Sequence, residues 1–455
     1  MKVLSVGTGY VGLTTSAALA YLGHQVTCLD IDESKIALLQ QGLAPIYEPG
    51  LPELLALARH NLTFTTSYDE TGLKDCDVVF IAVGTPSLPD GSGDLSQVRA
   101  AAEAIGARLD HDFTVVVNKS TVPIGSGNWV EALLREAYTH AHGRKPDGAY
   151  AVASNPEFLR QGSAIYDTLY PERIVIGAED NRAVAALTDL YRPVLNQDFP
   201  APAFLPRPEG LSAVPVITCD LASAELIKYA ANAFLAAKIS FANEMAQLSA
   251  KVGADILQIT RGIGLDSRIG PRFLQAGIGW GGSCFGKDTA ALLSTAKEYG
   301  LRLPIVEAAR EMNYRQRTWV VERLQEELKI LKGRTVALLG FAYKPNTDDL
   351  RDAPSLDIAR QLLHKGARVQ ATDPVALPNA RRLYPDLGVH YFDDPLDALL
   401  EADAVVLVTE WPEYRRLDWR AVKASLHNPL VVDGRNFLER EALEALGYRY
   451  IGVGR

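Results

Sequence analysis

The segment Gly279-Trp280-Gly281-Gly282-Ser283-Cys284-Phe285-Gly286-Lys287-Asp288 places a nucleophilic side chain among glycines, just ahead of an apolar helical pattern at Thr289-Ala290-Ala291-Leu292-Leu293. Glycines allow sharp turns and close backbone approach to a ligand. A cysteine before a helix N-terminus lies at the positive end of the dipole, which favours the thiolate. Lys287 pushes the same way. Cys284 is read as a covalent nucleophile, with a buried structural thiol in a helix-capping loop as the competing reading. Asp288 reads as the N-cap of a helix starting at Thr289, a role compatible with a second one in the chemistry.

Two further polar groups stand out. Lys228 and Asn232 are four residues apart in a helical pattern and share one face, so they could act as paired donors; a solvent-facing Lys and a surface Asn is the alternative. Glu157 follows a strand pattern, Tyr150 to Ser154. A catalytic carboxylate is plausible there, although the residues alone favour a solvated surface glutamate.

A thiol has a specific use. Oxidising an alcohol to a carbonyl does not need one, but oxidising the aldehyde further does, because hydride leaves only from a tetrahedral adduct such as a thiohemiacetal. Lys228 and Asn232 could stabilise the oxyanion of that adduct, a contribution of about 3 kcal/mol per donor. Glu157 or Asp288 could activate water to hydrolyse the resulting thioester.

The elements that must position these groups begin at the N-terminus. Lys2 to Val6 reads as a strand, Gly7-Thr8-Gly9-Tyr10-Val11-Gly12 as a glycine-rich turn, Leu13 to Leu22 as a helix, and Gln25 to Leu29 as a strand ending in Asp30. This is the dinucleotide-binding arrangement: glycines bring pyrophosphate to a helix N-terminus, and the acid binds ribose hydroxyls. Asp30 would repel a 2′-phosphate, which favours NAD over NADP. Strands from Asp77 to Val83 and from Phe113 to Asn118 follow, and Thr85 and Thr121 lie past their carboxyl ends, where cofactor binds; simple helix capping is the alternative.

Residues 193–215 hold six prolines with little periodicity, which reads as a linker or excursion ending the first domain. From Asp220 to Lys251 a pattern free of Gly and Pro predicts a helix of roughly 45 Å, with apolar positions spread widely enough to be buried between domains or subunits. A second long helical pattern spans Arg310 to Leu331. Strands then alternate with helices again: Thr335 to Leu339, Arg368 to Thr372, Ala404 to Val408, Leu430 to Val432 and Tyr448 to Val453. Here Gly340-Phe341-Ala342-Tyr343 replaces the dinucleotide glycines, so this sheet should bind something other than a second NAD. Basic residues at its strand ends suit a diphosphate.

Composition narrows the function classes. A net charge of −9 over 455 residues argues against a general nucleic-acid binder. The four cysteines show no disulfide or CxxC spacing, the eight histidines suggest no metal site, and no signal peptide or run of about 18 apolar residues is apparent. A reduced, cytoplasmic protein with no membrane partner is expected.

Six motifs together resemble the nucleotide-sugar dehydrogenases: GxGYVG at Gly7 to Gly12, STVP at Ser120 to Pro123, NPEFL at Asn155 to Leu159, KYAANAFLA at Lys228 to Ala236, GGSCF at Gly281 to Phe285 and KPNTDDLR at Lys344 to Arg351. The resemblance covers nearly the whole length. It implies two doubly wound α/β domains of Rossmann type, joined by a long central helix and a helical middle domain: residues 1–205 for NAD, 206–315 carrying the long helix and the cysteine loop, and 316–455 for the UDP-sugar. It implies oxidation of a C6 alcohol to a carboxylate with two NAD, with UDP-glucose to UDP-glucuronate the expected reaction. GDP-mannose or a UDP-N-acetylhexosamine is the rival substrate, and an inactive nucleotide-sugar sensor the rival of another class.

The family pattern implies Cys284 as nucleophile, Lys228 as alcohol base or oxyanion partner, and Asn232 as its support. Asp288 and Thr121 are implied at a catalytic water, and Glu157 as the base in thioester hydrolysis. Implied cofactor contacts are Gly7, Gly9, Tyr10, Val11, Gly12, Asp30, Lys35, Thr85, Thr121 and Arg351. Implied substrate contacts are Glu157, Phe158, Leu159, Arg160, Lys228 and Asn232, then Phe273, Gln275, Gly277 and Gly281, and finally Lys344 and Arg435. Arg268 is implied to reach across from a partner subunit, in a homodimer or larger homo-oligomer formed through the long helix. The sequence departs from the family at Gly286, where many members have Pro, and at Gln161, where Glu is common. The proline-rich excursion is also longer than expected.

Overall fold

The computed structural model describes residues 1–110 and 113–455. Its chain forms two compact units, Met1–Ala230 with Ala290–Tyr299, and Ala231–Thr289 with Gly300–Arg455.

In the first unit, eight strands form one sheet: β1 (Lys2–Val6), β2 (Gln25–Leu29), β3 (Leu62–Thr65), β4 (Val78–Ile81), β5 (Thr114–Asn118), β6 (Tyr150–Ser154), β7 (Ile174–Ala178) and β8 (Val216–Cys219). Their order is β3-β2-β1-β4-β5-β6-β7-β8. The first six run parallel in the dinucleotide-binding order, and β7 turns antiparallel to β6. Strands such as β4 (VVFI) and β5 (TVVVN) are buried along their whole length, as a sheet covered by helices on both faces requires. The covering helices are α1 (Tyr10–Tyr21), α2 (Glu33–Gln40), α3 (Leu51–Ala58), α4 (Ser96–Gly106), α5 (Ser126–His142), α6 (Ala164–Leu169) and α7 (Asn181–Leu195).

The proline-rich stretch does not end this unit. Pro193 lies within α7, and after the excursion β8 returns to pair with β7. The excursion is fastened by side chains: Tyr21 donates to the Pro200 carbonyl, Tyr170 to that of Leu205, and Arg207 to that of Phe199. The first two bonds reach across long sequence separations, which composition cannot reveal, and the third is internal to the excursion.

α8 (Leu221–Val252) begins in the first unit and ends in the second, matching the expected long helix to within a residue. Within the single chain Phe234 is 67% exposed, Phe241 49% and Leu248 55%. The second unit continues with α9 (Ile256–Gly264), α10 (Phe285–Glu298, whose last turns belong to the first unit), α11 (Pro304–Leu328) and α12 (Pro354–His364). Its sheet comprises β9 (Thr335–Leu339), β10 (Arg368–Thr372), β11 (Val389–Tyr391), β12 (Ala404–Leu407), β13 (Leu430–Asp433) and β14 (Arg449–Gly452). All its strands are parallel, in the order β11-β10-β9-β12-β13-β14, so the two sheets repeat one topology. Among the described residues no helix is long and apolar enough to cross a membrane.

Candidate active site

In the first unit the glycine turn lies past β1, next to β4, at the switch point of the sheet. Gly7 has φ +102°, and a Cβ there would stand 2.5 Å from the Ala82 carbonyl oxygen. A Cβ on Gly12 would lie 2.0 Å from the Gly7 oxygen, whereas one on Gly9 would meet nothing within 4 Å. Two glycines therefore serve packing and the middle one leaves room for a ligand at the start of α1. Asp30 Oδ2 accepts both the Thr8 N–H and its hydroxyl, at 2.7 Å each, which fixes the carboxylate beside the turn. Tyr10 donates to Glu48, and Val11 is partly buried in the first turn of α1. Lys35 is 3.6 Å from Asp32, which caps α2. Thr85 donates to the Thr121 carbonyl at 2.9 Å, tying the ends of β4 and β5 together. An open glycine, a fixed acid and a helix N-terminus fit a dinucleotide.

Beyond β6, Glu157 is buried and meets Lys228 Nζ at 2.9 Å; the two side chains are only 6% and 4% exposed. This corrects the solvated reading that the residues alone favoured for Glu157, and it decides against the solvent-facing alternative for Lys228. Their positions are 71 apart in sequence, so the pairing is visible only in the fold. Burial pushes the Glu157 carboxyl up, but the charge and hydrogen bond of Lys228, the Leu159 N–H and Lys119 pull it further down, leaving it below the ordinary carboxylate range. Phe158 lies under two cations, with Arg173 at 3.7 Å and Lys228 Nζ at 5.5 Å from its ring centroid. Arg160 is held by Asp167 through its N–H at 2.8 Å and its guanidinium.

Three buried residues of this unit escaped the sequence reading. Lys119, at the end of β5, donates to Asn155 Oδ1 at 2.8 Å. Glu225 on α8 accepts from the N–H groups of Gly125 and Gly127 and from the Ser154 hydroxyl. Glu48 accepts from Tyr10 and from the N–H groups of Gly162 and Ala164. A small pocket past the strand ends is lined by Asn118, Ser120, Thr121, Ser154, Pro156, Glu225 and Lys228, among others. Clusters of polar residues at strand ends were the available signal, but partners this distant in sequence gave it no direction.

The second unit holds the cysteine. α10 begins at Phe285, so Cys284 immediately precedes its first turn and is partly exposed. Asp288 is therefore inside the first turn rather than the N-cap: its N–H donates to the Cys284 carbonyl at 2.8 Å. The helix starts early because Phe285 packs against Trp280 and Phe273, with centroids 5.9 and 6.3 Å away, which outweighs the low propensity of Gly286. Asp288 is 1% exposed. Its Oδ2 accepts from Asn232 at 2.6 Å, and Oδ1 lies 2.9 Å from Lys287. Lys287 is thus engaged with Asp288. The Cys284 Sγ is 3.6 Å from the Ser283 hydroxyl.

The glycines ahead of Cys284 are closely fitted. A Cβ on Gly281 would lie 2.3 Å from the Asp352 carbonyl oxygen, and one on Gly282 (φ +88°) 2.7 Å from the Tyr343 ring. Gly286 is likewise constrained, since a Cβ there would stand 2.7 Å from Asp352 Oδ2. Asn313 brackets Trp280, accepting its N–H at 2.7 Å and donating to its carbonyl at 2.9 Å. Arg317 donates to that carbonyl at 2.8 Å and to Asp352 and Asp357 at 2.7 and 2.6 Å.

The remaining expected substrate residues divide. Arg435 is committed to backbone carbonyls, those of Val408 and Gly279 at 2.8 and 2.9 Å, so it secures the loop before the cysteine. The Gly277 N–H donates to Asn243 at 2.8 Å. Phe273 takes a left-handed backbone (φ +62°), Gln275 is exposed, and Lys344 lies 5.6 Å from the Tyr343 ring centroid. Arg268, with its side chain 87% exposed, pairs with Asp266 two residues away. Arg351 is held by Asp349 and belongs to the second unit, whereas the glycine turn belongs to the first. In the second sheet the counterpart of Asp30 is Asp373, whose carboxylate is filled by the N–H groups of Phe341, Ala342, Val375 and Ala376 and by Trp411. It has no capacity left for a ribose.

Comparison with known proteins agrees with this geometry. Three models of the UDP-glucose/GDP-mannose dehydrogenase family match in sequence: the NAD binding domain over residues 1–195, the central domain over 222–315 and the UDP binding domain over 337–440. The UDP-glucose 6-dehydrogenase TuaD of Bacillus subtilis is 45% identical, over 100% of this chain and 93% of its own. The solved UDP-glucose dehydrogenase of Pyrobaculum islandicum aligns with a TM-score of 0.87 at 40% identity, covering 100% of this chain and 97% of that one. A UDP-D-ManNAc dehydrogenase from Pyrococcus horikoshii aligns with a TM-score of 0.84 at 27% identity, covering 100% and 99%. The chain belongs to the UDP-glucose/GDP-mannose dehydrogenase family.

Proposed function

We propose that this protein oxidises UDP-glucose at C6 to UDP-glucuronate, a four-electron reaction that reduces two NAD. The observation that carries the reading is Cys284 at the head of α10, with the buried Asp288–Asn232 pair one turn on. An enzyme that stopped at the aldehyde would not need that thiol. UDP-glucose is preferred to the sister sugars because the relatives named for it are the more similar ones, at 45% and 40% identity against 27%.

NAD, when bound, accepts the hydride; Gly7, Gly9 and Gly12 with the α1 N-terminus would hold its pyrophosphate and Asp30 its ribose. In the first oxidation Lys228 takes the C6 hydroxyl proton. Cys284 then adds to the aldehyde carbon, and Asn232 with Lys228 stabilises the oxyanion. Loss of the second hydride leaves a thioester on Cys284. Water, oriented by Asp288 and Thr121 and relieved of a proton by Glu157, cleaves it and releases the acid and the free thiol.

We assign residues 1–205, whose sheet β8 completes, to NAD, 206–315 to the middle region that carries α8 and the cysteine loop, and 316–455 to the UDP-sugar, and the protein to the cytoplasm. We further assign it a homodimer through α8, supported by the exposed Phe234, Phe241 and Leu248, which recur every seven residues along one face. NADH formed per limiting UDP-glucose tests the reaction. Two per substrate is expected; one would refute the four-electron reading, and turnover only with another nucleotide sugar would refute the substrate.

A further inference from the structure

Lys119 is nearly as buried as Lys228, at 8% against 3% exposure, yet the mechanism above gives it no task. Its Nζ donates to Asn155 Oδ1 at 2.8 Å, and the same oxygen accepts the Tyr191 hydroxyl at 2.6 Å. Asn155 is fixed on its other side, its Nδ2 donating to the Val175 carbonyl at 2.7 Å. It precedes Glu157 by two residues across Pro156, so the Lys119 bond anchors the segment that carries the catalytic carboxylate.

The charges make this more than packing. Two buried ammoniums, Lys119 and Lys228, act on one buried carboxylate, Glu157. Other charged or titratable groups facing the cluster include Tyr191 from α7, Arg173 across the Phe158 ring and Glu225 one turn before Lys228 on α8. Burial lowers the Lys119 ammonium to about 8, with Glu157 opposing the shift and Lys228 adding to it. Glu157 alone would hold Lys228 protonated, which suits an oxyanion partner but hinders a base. A second cation beside the same carboxylate weakens that hold.

We propose that Lys119 is a positioning residue whose buried cation, anchored on Asn155, keeps Glu157 in place and ionised while driving Lys228 toward its neutral, proton-accepting form. The inference rests on the base role of Lys228 given above.

The test follows Lys228 directly, by NMR titration of [13Cε]lysine-labelled full-length protein, with the Lys228 signal assigned by its loss in Lys228→Met. Lys119→Gln, which retains a donor for Asn155, should raise the Lys228 midpoint by about one pH unit and move the acidic limb of kcat/KM up by the same amount. Lys119→Arg, which stays charged at all accessible pH, should restore both. Asn155→Asp, which offsets the cation where it stands, should also raise the midpoint and replaces Lys119→Gln if that variant does not fold. A Lys228 midpoint unmoved in a folded Lys119→Gln or Asn155→Asp protein would overturn the proposal. If Lys228→Met instead forms the first NADH at the wild-type rate, the base role of Lys228 fails, and the NMR titration still reports separately on the coupling.

Discussion

Replacing Lys228 by Met removes one member of a buried ion pair and leaves Glu157 facing an apolar chain of similar length. Breaking such a pair from one side costs about 3–5 kcal/mol, because the remaining charge has lost its compensation. Glu157 keeps the Leu159 N–H and Lys119 as partners, which places the expected loss toward the lower end of that range. For a unit of this size each kcal/mol lowers Tm by about 2–4 °C, so a drop of roughly 6–12 °C is expected near pH 7. The pH dependence fixes the sign. In the wild type the folded Glu157 pKa is depressed, so its contribution is present above the unfolded carboxylate pKa and is lost as pH falls through the lower folded value. In the variant burial dominates and the folded pKa is raised, so the penalty disappears as pH falls through it. The gap in Tm between the two proteins should therefore narrow on acidification. Lys228→Met combined with Glu157→Gln should recover most of the loss at pH 7. Differential scanning fluorimetry from pH 5 to 8 reads all three proteins. A Tm change under about 2 °C in the single variant, or a gap that widens at low pH, would refute the reasoning.

Other consequences are as direct. Cys284→Ser should retain NAD affinity within about twofold, since the thiol and the glycine turn lie in different compact units, yet abolish UDP-glucuronate formation; isothermal titration and product analysis check both. Gly9→Val should fold normally, because a Cβ at Gly9 meets nothing within 4 Å, while weakening NAD binding by more than about tenfold as the side chain fills the pyrophosphate position. Phe241→Glu, placed in the exposed stripe of α8 that the proposed homodimer would bury, should shift the protein toward monomer in light scattering, with the monomer's secondary structure unchanged by circular dichroism.

How far the sequence spoke depended on the range of the interaction. Local patterns were readable: β1, the glycine turn, α1, β2 and Asp30 stand in the expected order, and α8 ends within a residue of the expected bounds. Short apolar strands were less so. β8 joins the sheet from beyond an excursion that Tyr21 and Tyr170 fasten from far away in sequence. The cysteine stood out among its glycines, but the start of α10 did not, because edge-to-face packing of Phe285 against Trp280 overrides the local preference of a Gly-containing turn. Glu157, Lys228 and Lys119 look like surface residues by type. Their burial is a property of the cluster, since Glu157 and Lys228 compensate each other's charge and Asn155 and Tyr191 receive the Lys119 ammonium.

On the proposed mechanism Cys284 carries the acyl intermediate. Intact mass measurement of Glu157→Gln and Asp288→Asn proteins, quenched during turnover with UDP-glucose and NAD, tests it most directly. Slowed hydrolysis should leave an adduct of one UDP-glucuronyl group, mapped to Cys284 by peptide analysis and removed by hydroxylamine. Turnover with no adduct in either variant, or an adduct at any other residue, would contradict it.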